Sequence, residues 1–150
     1  MSWIPCSGLD SEAGVVWLPR LIQKARHCLS SANGRLVDGY CYGDNDFIDK
    51  MLMTYLRTDD ATVTALVREN PADADVARIL VERSGRSATE CAAFSTSFKR
   101  KLMNFVFLEA DEGRLPPGFK TSAIKFLYNK ALMPAVYFMF RRDERNRKLA

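Results

Sequence analysis

The chain has 150 residues, of which 47% are hydrophobic and 27% charged, and a formal net charge of +4. This length suits one domain with a single core, and this composition is the ordinary balance of a soluble globular protein, with an aromatic share that argues against disorder. The Met1–Cys6 start has no cationic stretch or apolar run of a secretory signal, and the longest apolar run, Ala131 to Phe140, spans ten residues, short of the roughly 20 that cross a bilayer.

Apolar residues at helical spacing recur along the chain with start and stop signals between them. The first helix is expected to begin near Pro19, a residue suited to a first turn. Leu18, Leu21, Ile22, Ala25 and Leu29 share one of its faces, and Asn33-Gly34 is its expected stop. Residues 34–43 read as a structured loop, with a short strand over Leu36–Tyr42 as the alternative. A second helix follows Asp44 or Asn45 as N-cap, with Phe47, Ile48, Met51, Leu52 and Tyr55 inward. Thr58 or Asp59 caps a short third helix carrying Val63, Leu66 and Val67. Asn70-Pro71 restarts the chain into a fourth, with Val76, Ile79 and Leu80 as its stripe and Ser84-Gly85 as its end. Ser87 and Glu90 form a capping box that opens a fifth helix, expected to reach about Leu108. Residues 113–118 are a Gly/Pro break. A last helix, kinked by Pro134, runs from about Thr121 past Phe140 into a basic tail. The expected fold is all-α: a single-domain bundle of about six helices with a structured loop after the first. Its parts are an N-terminal arm (1–15), a helical body (16–110) and a kinked basic C-terminal helix and tail (119–150).

Charge is unevenly placed. Residues 1–118 hold fourteen basic and sixteen acidic side chains, and residues 119–150 hold eight and two. The excess positive charge therefore belongs to the C-terminal segment. The four cysteines, Cys6, Cys28, Cys41 and Cys91, form no C-x-x-C pair. Without a signal peptide they read as free, mostly buried thiols in a reducing compartment, and a cytoplasmic location is expected.

Absences narrow the chemistry. With His27 as the one histidine, two-histidine metal sites are disfavoured. No phosphate-binding glycine loop, dinucleotide fingerprint or nucleophile elbow is present, so no metal or cofactor is called for. Three constellations remain. Arg20, Lys24 and His27 recur at i, i+4 and i+7 on a helix face opposite the apolar stripe. They read either as a clamp for a carboxylate or phosphate or as a solvated face. The loop Gly39–Asp46 runs into a helix N-terminus, where Tyr40 and Tyr42 line a small pocket in one reading and pack on the core in the other. The C-terminal helix interleaves Lys120, Lys125 and Lys130 with aromatics, read either as a nucleic-acid or membrane-binding surface or as core spacing with a solubilising terminus.

The stretch Leu18-Pro19-Arg20-Leu21-Ile22-Gln23-Lys24-Ala25-Arg26 resembles the L-P-R-L-I-x-K-A-R signature of a bacterial family known as domain of unknown function 5069. Gly39-Tyr40 resembles part of that family's G-E-Y loop. Asp44–Ile48, Asp73–Leu80 and Ser87–Phe94 are similar to its later motifs. The likeness covers residues 16 to about 95. It implies a small, soluble, helical bacterial domain and supplies no activity, but it draws interest to Arg20, Lys24 and Arg26.

Two functional expectations follow. In the first, a small anionic molecule sits between the first helix and the Tyr40–Asp46 loop. Arg20 and Lys24 hold it, with His27 and Tyr42 beside it, and Asp46 or Tyr40 serves as acid or base. The chemistry is then a cofactor-independent proton transfer, elimination or isomerisation. In the second, the chain is a binding or scaffold protein that docks a protein or nucleic acid through Arg141, Arg142, Arg145, Arg147 and Lys148.

Overall fold

The computed structural model describes residues 3–31, 40–101, 112–114, 123, 126 and 130. The chain divides into two compact units, Met1–Lys101 and Leu102–Ala150. The expected C-terminal helix, its Pro134 kink and the basic tail lie outside the described residues. Of the second unit, the turn at Gly113 is described, with Glu112 paired to Arg114.

The first unit is mostly helical and holds five α-helices among its described residues. Its N-terminal arm contains an element the sequence reading missed, a two-residue antiparallel hairpin of β1 (Ser11–Glu12) and β2 (Val15–Val16). Ala13 and Gly14 turn it, both at positive φ. The hairpin is too short for a period-2 pattern, which explains why alternation did not reveal it. Val15 and Val16 are nevertheless fully buried and belong to the core.

Trp17 joins β2 to α1 (Leu18–Ser30) in the left-handed conformation, φ 71°. A non-glycine residue there is strained by about 1–3 kcal/mol and persists only where its surroundings over-determine it. Here the Trp17 backbone N–H donates to Asp10 O, its carbonyl accepts from Leu21 N, and its ring is buried. The first helix ends at Ser30, ahead of the expected Asn33-Gly34 stop. A 3-10 turn, Gly43–Asn45, leads into α2 (Phe47–Tyr55), whose N-cap is Asp46, one residue later than expected. Its buried residues are Asp49, Leu52 and Met53, about 140–240° around the helix from Phe47, and Phe47, expected inward, is 61% exposed.

Asp59 caps α3 (Asp60–Glu69) by accepting from Thr62 N at 2.7 Å. The fourth helix, α4 (Asp73–Ser84), begins two residues beyond Pro71 and ends on Gly85 at φ 68°. The Ser87–Glu90 capping box is present: Ser87 N donates to Glu90 Oε2 at 2.8 Å and Glu90 N to Ser87 Oγ at 3.2 Å. It opens α5 (Ala88–Lys101).

The first helix packs on α3 and α4, and α5 packs on β2. Leu18, Leu21, Ile22 and Ala25 meet Val63, Leu66, Val67, Val76, Ala77 and Leu80 in a core from which water is excluded. Ser95 clips α5 to the hairpin, donating to Gly14 O at 2.8 Å and accepting from Val16 N at 3.0 Å. All four cysteines are free thiols, but Cys91 alone is buried; Cys6 and Cys28 are half-buried and Cys41 is exposed. Among the described residues no helix is long and apolar enough to cross a membrane.

Candidate functional site

The first helix is covered on more than its apolar stripe. Arg20 and Lys24, expected on an open face, are 2% and 1% exposed. The cover is the N-terminal segment. Cys6 N donates to Gln23 Oε1 at 2.8 Å, and Arg20 Nη1 donates to Cys6 O at 2.7 Å. Trp3 stacks on His27 with ring centroids 3.9 Å apart and planes 5° from parallel. Tyr40 meets Trp3 edge-on at 5.8 Å. The Arg20 guanidinium lies 4.9 Å from the Trp17 ring and 5.6 Å from the Tyr40 ring, a cation–π arrangement that suits its delocalised, weakly hydrated charge.

Lys24 is the centre of a buried ion triad. Its Nζ lies 2.8 Å from Asp46 Oδ2 and 2.6 Å from Asp49 Oδ2. Asp49 is fully buried. Its Oδ1 accepts from Trp17 Nε1 at 2.7 Å, and its Oδ2 also accepts from Gly43 N at 3.1 Å. Asp46 caps α2 with Oδ1, accepting from Ile48 N and Asp49 N at 2.8 and 3.2 Å, and its side chain stays 20% exposed. The triad therefore runs from the core at Asp49, through the ammonium, to a carboxylate that touches solvent.

Burial decides how this triad titrates. A carboxylate taken out of water favours its neutral form. Desolvation pushes Asp49 up to about 6, with the Asp46 charge adding to the rise; Lys24 and the hydrogen bonds from Lys24 and Trp17 hold it back. Cys28 and Cys41 lie within the field of the same groups, and burial raises both thiols above their ordinary range. They are therefore less thiolate-rich than an ordinary cysteine.

Five of the six residues singled out from the sequence come together. Lys24 meets Asp46 directly, Arg20 meets Tyr40, and His27 reaches Tyr40 through Trp3. Tyr42 is the exception. Its hydroxyl donates to Asp60 O at 3.1 Å and lies 3.0 Å from Thr64 Oγ1, on α3, and burial raises its phenol strongly. Arg26, the third cation of the Leu18–Arg26 motif, binds Asp73 through Nε at 2.8 Å and Nη2 at 2.7 Å, and reaches the Asn70 and Val67 carbonyls. Each cation of the motif thus ties α1 to a different part of the unit: Arg20 to the N-terminal segment, Lys24 to the start of α2, and Arg26 to the α3–α4 junction.

Residues 4–110 match the family described as Domain of unknown function (DUF5069). The chain belongs to that family. No curated protein and no solved structure matches it. In this DUF5069 chain the sequence reading overlooked Trp17, Asp49 and Trp3. For Asp49 a signal existed: it shares a helix face with Leu52, Met53 and Leu56 at i+3, i+4 and i+7, and a carboxylate on an apolar stripe must find a partner. Trp3 and Trp17 gave no such signal, because their contacts are set by how the N-terminal segment folds over α1. Among the described residues no group of three or more His, Cys, Asp or Glu is placed to hold a metal ion.

Proposed function

We propose that this domain binds a small anionic molecule where the Tyr40–Asp46 segment meets α1, and that the Lys24–Asp46–Asp49 triad is the acid–base group of a cofactor-independent proton transfer, elimination or isomerisation. The observation that carries the reading is Asp49. It is a buried carboxyl raised to about 6, bonded to a lysine that also holds the partly exposed Asp46. Such a group exchanges its proton near neutral pH, as general acid–base work requires. A ligand carboxylate enters this scheme by replacing Asp46 as the outer partner of Lys24. Arg20 then acts by holding Tyr40 in place, since its own guanidinium is turned toward Cys6 O, Trp17 and Tyr40.

The test is a calorimetric titration with a panel of small mono- and dicarboxylates in two buffers of different ionisation enthalpy. The reading expects saturable binding with proton uptake or release, and loss of that proton exchange in Asp49→Asn. Saturable binding with no proton linkage sinks the acid–base role; no binding across the panel sinks the site.

A second reading, a non-catalytic protein that docks a partner protein or nucleic acid through Arg141, Arg142, Arg145, Arg147 and Lys148, draws support from one observation. Every oxygen of Asp46 and Asp49 already accepts from an N–H donor, as a purely structural network requires. Removing residues 141–150 should then abolish binding to RNA or DNA, and that binding should fall steeply with salt.

A further inference from the structure

An open groove of about 390 Å³ is lined by Tyr42, Asp60, Ala61, Thr64, Ala65 and Arg68 and includes no member of the triad. Its volume lies within the range of small-molecule sites. One wall is fixed by a closed set of hydrogen bonds: Tyr42 Oη and Thr64 Oγ1 both donate to Asp60 O, at 3.1 and 2.6 Å, and the two hydroxyls lie 3.0 Å apart. Gly43 holds this wall close to α3. A Cβ there would stand 2.6 Å from Asp60 Cβ. Walls that need no reordering lower the cost of binding.

The groove carries one charge of each sign. Asp60 and Arg68 are separated by Thr64 at i+4, and among the described residues neither side chain has an ion-pair partner, although Arg26, Lys50, Arg78 and Arg86 all do. Eight residues of helix place their Cα atoms about 12 Å apart. Helical side chains lean toward the N-terminus, Asp60's as well as Arg68's, and the greater length of the arginine closes part of that span. An extended dipeptide, at roughly 3.5 Å per residue, sets its own termini about 7 Å apart, the order of gap that remains.

We infer that this groove is a binding site for a short zwitterionic ligand of dipeptide size, with its ammonium at Asp60 and its carboxylate at Arg68. Tyr42 and Thr64 form the polar wall, and Ala61 and Ala65 leave room for the ligand backbone over the helix. The site is separate from the triad, so its fate and that of the proposed function are independent.

The experiment uses the full chain, isotopically labelled, and follows backbone amide shifts while diglycine is added. Saturable shifts at Tyr42, Ala61, Thr64 and Ala65 are expected. N-acetyl-diglycine and diglycine amide should each bind about tenfold more weakly, the equivalent of one lost charge-assisted contact. In Arg68→Gln the amide and the free acid should bind alike, while the effect of N-acetylation persists; Ala65→Leu, on an exposed helix position, should block binding with the rest of the spectrum unchanged. Shifts that fail to saturate, that ignore both terminal modifications, or that survive Ala65→Leu overturn the assignment.

Discussion

Lys24→Met is the most informative single change in this protein. The ammonium is 1% exposed and lies within 2.8 Å of two carboxylates. Its removal leaves the fully buried Asp49 with two N–H donors, Trp17 Nε1 and Gly43 N, and no compensating charge. Truncating one partner of a buried, hydrogen-bonded ion pair costs about 3–5 kcal/mol. That is a large part of the roughly 5–15 kcal/mol that a domain possesses. With a urea dependence of roughly 2 kcal/mol per M, the unfolding midpoint should fall by about 2 M. The loss should depend on pH. Asp49 goes from an ordinary 3.8 in the unfolded chain to about 6 in the folded one, so between these values the folded state holds a proton that the unfolded state has released. Stability from this group is therefore present below pH 4, declines as pH rises through 6, and is constant above. Without Lys24 the carboxyl rises further, and at pH 5 it is neutral and costs less to bury. Urea unfolding at pH 5 and pH 7.5 should show the larger loss at 7.5. A loss under 1 kcal/mol at pH 7.5, or an equal loss at both, would refute the reasoning.

The glycines offer a paired test. Gly43 and Gly85 both sit at φ 68°, but a Cβ on Gly85 meets nothing within 4 Å, while one on Gly43 strikes Asp60 at 2.6 Å. Gly85→Ala should cost about 1 kcal/mol, the left-handed penalty alone; Gly43→Ala should cost about 2–4 kcal/mol once overpacking is added, and equal midpoint shifts for the two would contradict this. Gly8→Ala should also destabilise, because its Cβ would lie 2.2 Å from the Trp17 ring; unchanged thermal unfolding would show that the N-terminal segment is not held over α1. Ser87→Ala should cost about 1 kcal/mol by removing the cap that accepts from Glu90 N, and should raise the Glu90 carboxyl, which the Ser87 backbone and hydroxyl donors hold low; urea unfolding reads the first effect and carboxyl NMR titration the second.

The helices were legible because their signals are local. Asp59, Gly85 and the Ser87–Glu90 box act within one turn of themselves, so residue type and spacing suffice. The start of α2 was misplaced because Asp44, Asn45 and Asp46 are all good caps. The choice fell to Asp46, whose second oxygen reaches Lys24, twenty-two residues away. Phe47 reads as core because it is apolar, but it stands about 200° around the helix from Asp49, whose bonds to Lys24, Trp17 and Gly43 fix the inward face. The hairpin was missed because its stability comes from α5, through Ser95 and the burial of Val15 and Val16, rather than from its own sequence.

The misreading of Arg20 and Lys24 has a physical cause that bears on function. Helical periodicity identifies an apolar face but is silent on whether the other faces meet water. In α1 the face of Arg20 and Lys24 does not, since the N-terminal segment and the start of α2 close over it, whereas Leu29, expected on the apolar stripe, is 37% exposed near the helix end. At about 100° per residue, Arg20 and Lys24 point about 40° apart, and Arg26 points to nearly the opposite side. A ligand clamp needs its cations to converge, whereas these diverge toward three different segments and each finds an acceptor there. Of the motif's cations, Lys24 is therefore the one on which the proposed acid–base role rests. It is the one cation of the three whose partners include a carboxyl displaced toward neutral pH, and the one that joins a fully buried carboxylate, Asp49, to a partly exposed one, Asp46.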